Sequence, residues 1–258
     1  MNDKLTIIKV GGKIVEEEKT LAKLLADFAA IDGFKLLVHG GGRSATKVAG
    51  ELGIETTMID GRRVTDDAML RVVTMVYAGT VNKSVVARLQ GLDINAIGLT
   101  GADMNIIKSH KRPAKPVDYG WVGDVDKVNG EALATLIRAG IVPVIAPLTH
   151  DKEGHLLNTN ADTMASETAK GLADYFDVDL VYCFEKTGVL RDENDDNSVI
   201  STINHEDFAQ LKADGIVSGG MIPKIENALS AIDCGVKSVI ITQASSLHDL
   251  NAGTHIVS

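Results

Sequence analysis

At 258 residues the chain is long enough for one or two domains, and its 45% apolar and 24% charged content is that of an ordinary globular protein. Lys plus Arg number 26 against 35 Asp plus Glu, a net charge of −9 that excludes a broad nucleic-acid face yet leaves room for a small cationic pocket. Aromatics at 4% are too few for base-stacking platforms, and no apolar run reaches the about 18 residues of a membrane span. The N-terminus lacks a signal-peptide core, and Cys183 and Cys234 are too few for a disulfide framework or a zinc site. These traits point to a cytoplasmic protein that handles something small.

In chain order, Leu5 to Val10 is a short strand stopped by Gly11-Gly12. Leu21, Leu24, Leu25 and Phe28 then recur at helical spacing. Lys35 to Val38 is a second strand that runs into His39-Gly40-Gly41-Gly42, with Ser44 as the expected cap of a helix reaching Leu52. Thr65-Asp66-Asp67 opens a helical stretch to Leu89 with a break expected at Gly79, and Ile94 to Leu99 is another strand. The segment Ile106 to Val128 alternates apolar and polar residues around Pro113 and Pro116, and reads as an inserted hairpin or flap. A helix near Glu131–Ala139, a strand at Ile141–Ala146 and a hairpin around Asp151–Gly154 follow. A helix after Asn160-Ala161-Asp162, a strand at Leu180–Phe184 and the acidic loop Arg191–Asn197 come next. The chain ends with helices from His205 and from Met221 to Ile232 and a strand at Ser238–Thr242. Strands alternating with helices predict an α/β fold on a mostly parallel sheet, with ligands bound beyond the carboxyl ends of its strands. Any domain division is expected near residue 172.

Five motifs carry chemistry. Lys9-Val10-Gly11-Gly12 places a lysine in an apolar strand before two glycines, which suits either a snorkelling lysine at a turn or a phosphate against the backbone. His39-Gly40-Gly41-Gly42 bares backbone N–H groups at a helix start, a site for a carboxylate or phosphate, with His39 itself read as structural. Asp60-Gly61-Arg62-Arg63-Val64-Thr65 offers arginines that are either solvated loop charges or a bidentate fork for a carboxylate. Asn158-Thr159-Asn160-Ala161-Asp162 supplies two amides and a carboxylate at a strand-to-helix junction, more than one cap requires. Gly219-Gly220-Met221-Ile222-Pro223-Lys224 opens a helix whose apolar face is Ile222, Ile225, Leu229 and Ile232, and Lys224 projects from the other face. Gly79-Thr80-Val81-Asn82-Lys83-Ser84 is not a P-loop, since Asn82 stands where the second glycine belongs.

Together, in this order and spacing, the motifs resemble the amino acid kinase family, and within it the members that phosphorylate an N-acylated glutamate. The resemblance runs from Leu5 to Gly253-Thr254-His255-Ile256. It implies a three-layer α/β/α sandwich around a mainly parallel sheet, with residues 1–172 as an acylglutamate-binding and dimerisation lobe and 173–258 as an ATP-binding lobe. By position, Gly41 and Gly42 would meet the substrate through backbone, and Arg63 and Asn158 would grip it. Lys9 and Lys224 match the two lysines that stabilise the transferring phosphoryl group, and Asp162 matches the carboxylate that orients them. ATP would be met by Gly11, Gly12, Gly219 and Gly220, and by the loop Glu185-Lys186-Thr187-Gly188, which departs from the family's common Asp-Val. The resemblance further implies N-acetyl-L-glutamate as acceptor, a place in arginine biosynthesis, and Mg²⁺ held mainly by the nucleotide. Kinases of aspartate, glutamate, carbamate, UMP or acylaminoadipate are the neighbouring alternatives, and a non-catalytic sensor on the same fold is another. Arginine-inhibited members carry a helix ahead of the first strand. Here four residues, about 6 Å of helix, precede Leu5, so the expectation is a plain homodimer indifferent to arginine.

Overall fold

Eight strands form the central sheet of the computed structural model, which describes residues 2–59, 61–192 and 194–258. Their order across the sheet is Thr202–Ile203, Thr254–Ile256, Ser238–Gln243, Asp177–Phe184, Lys4–Val10, Phe34–His39, Val142–Ile145 and Ala96–Leu99. The six strands from Ser238–Gln243 to Ala96–Leu99 pair in parallel, and Thr254–Ile256 runs antiparallel to its neighbour. Strands buried on both faces are apolar almost throughout, and in Lys4–Val10 every residue after Lys4 is buried.

Alternation along Lys4–Val10 assigns the faces. Leu5 and Ile7 join one core with residues of helices Gly130–Arg138, Ala161–Leu172, His205–Ala213 and Met221–Asp233. Ile8 and Val10 join the other, with Ile14, helix Glu18–Ala29 and helix Asn82–Gln90. Helices therefore cover both faces, giving the three layers expected. Lys9 is in phase with Leu5 and Ile7, so its side chain leaves on the face where two helices begin with Asp162 and Lys224 nearby. From the central pair Lys4–Val10 and Asp177–Phe184 the chain builds outward in opposite directions, which makes this pair the topological switch point.

Three local expectations are corrected. The helix starts at Gly42 with Gly41 as its N-cap, and Ser44 donates instead to Glu16 Oε1 at 2.8 Å. Helix Asp67–Val73, capped by Asp66, does not break at Gly79. It widens into a π-helical stretch, Thr74–Val81, and continues as Asn82–Gln90. Such widening relieves an inserted residue and commonly marks functional helices. The hairpin Ile107–Lys111 with Gly123–Val128 is present, but it is no free flap, for it belongs to a four-stranded sheet with Leu148–His150 and Leu156–Asn158. Its connecting loop is stitched down as well: Thr65 N donates to Tyr119 O, Trp121 N to Thr65 O, and Asn158 N to Trp121 O. Gly120 makes this approach possible, with φ of 71° and a position where a Cβ would stand 2.3 Å from Thr65 O.

Candidate active site

Parallel register sets Val10 beside His39, so the Gly11-Gly12 and Gly40-Gly41-Gly42 turns emerge side by side. They touch through backbone. A Cβ on Gly40 would stand 3.0 Å from Gly12 N, and one on Gly12 would stand 3.5 Å from the amide nitrogens of Gly41 and Gly42. Gly41 also lies under the Tyr77 ring, where a Cβ would come within 2.8 Å. The glycines thus allow two strand ends and an aromatic ring to close on one spot, with the N-terminus of helix Gly42–Glu51 facing it.

His39 holds the turn from below. The imidazole is fully buried, Nδ1 lies 2.7 Å from Gly40 O, and Nε2 lies 3.1 Å from Asn82 Nδ2. A carbonyl on one side and an amide NH₂ on the other assign the neutral Nδ1–H tautomer. Burial drives the pKa down to about 4, against a smaller upward pull from the Gly40 hydrogen bond. The unfolded chain binds that proton at a pKa near 6.5 while the folded chain resists it. Stability is therefore expected to fall as pH drops from 6.5 toward 4, by roughly 3 kcal/mol in full from this group. Urea melts across that range read the effect, and a His39→Gln variant with an unaltered pH slope would assign it elsewhere.

Asp162 ties three elements together. It sits in the first turn of helix Ala161–Leu172, whose N-cap is Asn160; the Asn160 Oδ1 accepts from Asp162 N at 2.8 Å and Thr163 N at 3.1 Å. The Asp162 carboxylate meets Lys9 Nζ at 2.7 Å and Lys224 Nζ at 3.2 Å. Lys9 and Lys224 are 7% and 9% exposed, so neither ammonium is an idle surface charge. Burial alone would push the Asp162 carboxyl up, but the two lysines outweigh it and hold the pKa at about 2. Burial pulls Lys224 down, opposed by Asp162 and reinforced by the Lys9 charge. The Lys224 ammonium also lies 5.5 Å from the ring centres of Tyr182 and Phe184, and Tyr182 O–H donates to the Asp162 carbonyl. Two cations and one anion leave the trio a net positive charge, ready for an anionic ligand.

Beside it lies a cleft of about 180 Å³ lined by Gly40, Gly41, Gly42, Arg63, Tyr77 and Asn158, among others. Arg63 is buried, with Nη2 donating to Gly42 O at 2.7 Å and Thr46 Oγ1 at 2.9 Å, while its Nε finds no partner among the described residues. Asn158 donates to Thr65 Oγ1 at 3.0 Å. A second cleft is shared by Gly11, Gly12, Lys13, Arg43, Phe184, Glu185 and Lys186, and a third by Asp162, Gly219, Gly220 and Asn227, among others.

The structure thus brings together Lys9, Asp162 and Lys224, groups Gly41, Gly42, Arg63 and Asn158 around one cleft, and sets Gly11, Gly12, Glu185 and Lys186 around another. Thr187 and Gly188 stand apart. Thr187 donates to Asp196 O, and a Cβ on Gly188 would strike Val199 and Thr254, so this glycine serves packing of the C-terminal layer. Glu185 is engaged by Lys13 at 2.7 Å, across the cleft from its own strand. Asp60 lies outside the described residues, as does Glu193 in the acidic loop. Tyr77 and Tyr182 carry no motif signature, and only the folded register makes them, with Asn82, part of the site.

The sequence profile described as the amino acid kinase family matches residues 4–243. The chain belongs to this family. Two similar curated proteins, both named acetylglutamate kinase, come from Phocaeicola vulgatus (68% identical) and Bacteroides thetaiotaomicron (65% identical), each alignment covering 99% of both chains. Among solved amino acid kinase folds, the smu.665 protein of Streptococcus mutans superposes with a TM-score of 0.80 at 26% identity, covering 98% of each chain. Carbamate kinase from Giardia lamblia, at 16% identity and a TM-score of 0.73, shares the fold and covers 99% of this chain and 98% of its own. No described helix is long and apolar enough to cross a membrane.

Proposed function

We propose that the protein transfers the γ-phosphoryl group of ATP to the side-chain carboxylate of an N-acylated glutamate such as N-acetyl-L-glutamate, in arginine biosynthesis. The observation that carries this reading is the Lys9–Asp162–Lys224 trio set at the carboxyl ends of the sheet beside a small polar cleft. The names of the full-length relatives support the same acceptor.

The chemistry follows from charge. A carboxylate is already ionised near pH 7, so its attack on phosphorus needs no general base. A carboxylate O–P bond forms as the bond between the γ-phosphorus and the bridging oxygen of ADP breaks. The site must bring two anions together and spread the charge that gathers on equatorial and leaving oxygens. Lys9 and Lys224 supply the cations, Asp162 keeps them charged and aimed, and the glycine N–H groups supply dipoles. When bound, Mg²⁺ would neutralise phosphate charge, held mainly by the nucleotide, since the cleft side offers ammonium groups and amides rather than a cage of carboxylates.

Within this reading, Gly41, Gly42, Arg63 and Asn158 hold the acylamino acid. Gly11, Gly12, Glu185, Lys186, Gly219 and Gly220 border the nucleotide, with Thr187 and Gly188 shaping its loop from behind. Residues 1–172 form the acceptor and dimerisation lobe and 173–258 the ATP lobe of a cytoplasmic homodimer, a state that light scattering reads. Incubation with ATP, Mg²⁺ and N-acetylglutamate, followed by hydroxylamine trapping of the acyl phosphate, tests the reaction. Hydroxamate from free glutamate or aspartate, and none from the acetylated acceptor, would overturn it. Arg63→Lys keeps the charge but loses the fork and the Gly42 contact, so it is expected to raise KM for the acceptor by about 10²-fold while KM for ATP hardly moves. The opposite split would mean that the subsites are reversed.

A further inference from the structure

Arg62 and Arg63 are neighbours in one short extended strand, where successive side chains leave on opposite faces. Their surroundings differ accordingly. Arg63 turns inward to Gly42, Thr46, Thr56 and Met69. Arg62 turns toward the hairpin, where the charged and titratable groups facing it are Arg112, Asp124 and Tyr119. Arg112 takes Asp124 for itself, with Nε at 3.0 Å from Oδ2 and Nη2 in contact with Oδ1. The half-buried Arg62 guanidinium is left without a hydrogen bond or ion pair among the described residues. Burial, then the Arg112 charge, lower its pKa, against smaller upward pulls from Asp124 and Tyr119.

Arg62 lines the acceptor cleft beside Met58, Val122 and Asn158, and it also borders the wider cleft of about 640 Å³ that Asp162, Gly219 and Gly220 line. Arg62 stands outside the trio itself, for the ion pairs of Asp162 are to Lys9 and Lys224. An acylglutamate with a neutral acyl group brings two carboxylates. The reacting one goes to the lysine side and the other to Arg63, which leaves Arg62 unspent. A half-buried guanidinium with free donors, facing a ligand cleft, calls for a planar anion it can grip with two N–H groups.

We infer that Arg62 binds a third carboxylate, carried at the far end of the substrate's acyl group, so that the protein accepts N-acylglutamates with a dicarboxylic acyl chain in preference to the acetyl compound. This rests on the acylglutamate kinase reading above and extends it to the acyl group.

The test compares N-succinylglutamate with N-acetylglutamate for the wild type, Arg62→Met and Arg62→Lys, with ATP and Mg²⁺. The wild type is expected to favour the succinyl substrate in kcat/KM. That succinyl-to-acetyl ratio should fall by about 10²-fold in Arg62→Met, the loss of a bidentate charged contact. Arg62→Lys should fall between, since it keeps the charge without the fork. An unchanged ratio in a folded Arg62→Met overturns the inference. So does an equal loss of kcat for both substrates, which would assign the cation to the phosphoryl group. Should Arg62→Met not fold, Arg62→Gln carries the same comparison. If the wild type phosphorylates neither acylglutamate, the kinase reading fails. Calorimetric titration of the two compounds without ATP then still reads Arg62: succinyl preference lost in the variant supports the inference, and equal or absent binding overturns it.

Discussion

Lys224→Ala is expected to lower kcat by at least about 10²-fold, the loss usual for one donor to transition-state charge, and Lys9→Ala should match it. KM for the acylamino acid should change little, because Arg63, Asn158 and the glycine amides line the acceptor cleft without either lysine. The two lysines act through one carboxylate, so the double variant should lose much less than the product of the single losses. Both lysines are ion-paired to Asp162, at 2.7 and 3.2 Å. Each single alanine leaves Asp162 with one partner in place of two, so a loss of about 1–3 kcal/mol in urea melts should accompany the kinetic loss. A folded Lys9→Ala or Lys224→Ala protein with wild-type kcat would remove that lysine from the phosphoryl site.

What the sequence reveals of this site is the part written in local chemistry. Glycines in pairs and triplets, each after a strand, mark places where ligands approach backbone, and alternation along Leu5–Val10 suffices to put Lys9 on one face. Contacts that depend on register are not written locally. Nothing in the spacing says that Gly12 meets Gly40, because that follows from pairing Val10 with His39. The junction 158–162 reads as too polar for one cap, and the structure divides the labour: Asn158 lines the cleft, Asn160 caps the helix, and Asp162 holds the lysines. Ser44 misleads because a serine near a helix start is a common cap, whereas here Gly41 takes the cap position and starts the helix earlier. The π-helical turns escape notice for a different reason. No residue type marks an i→i+5 hydrogen-bond ladder, yet it is this stretch that carries Tyr77 against Gly41.

Asp162→Asn keeps the shape of the side chain and removes only its charge, so it separates orientation from packing. Two buried ammonium groups would then face one another across a neutral amide. Its single carbonyl oxygen can accept from one of them, while its NH₂ group would oppose the other. Lys224 is already lowered by burial, and Asp162 is the main influence holding it up. Without that influence its pKa must fall further, and the fraction charged near neutral pH falls with it. The expected result is a kcat reduced by about 10²-fold or more, with residual activity that declines as pH rises through the lowered lysine pKa. Stability carries a second signature. In the wild type the folded pKa of about 2 lies below the unfolded value of 3.8, so the carboxylate's contribution is fully present above about pH 4. It is lost as pH falls toward 2, and amounts to about 2 kcal/mol for a shift of this size. The asparagine variant has no such group to titrate, so its stability should lack that acid limb. A folded Asp162→Asn protein with wild-type kcat and an unshifted pH–rate profile would show that the lysines need no carboxylate to keep them charged and aimed.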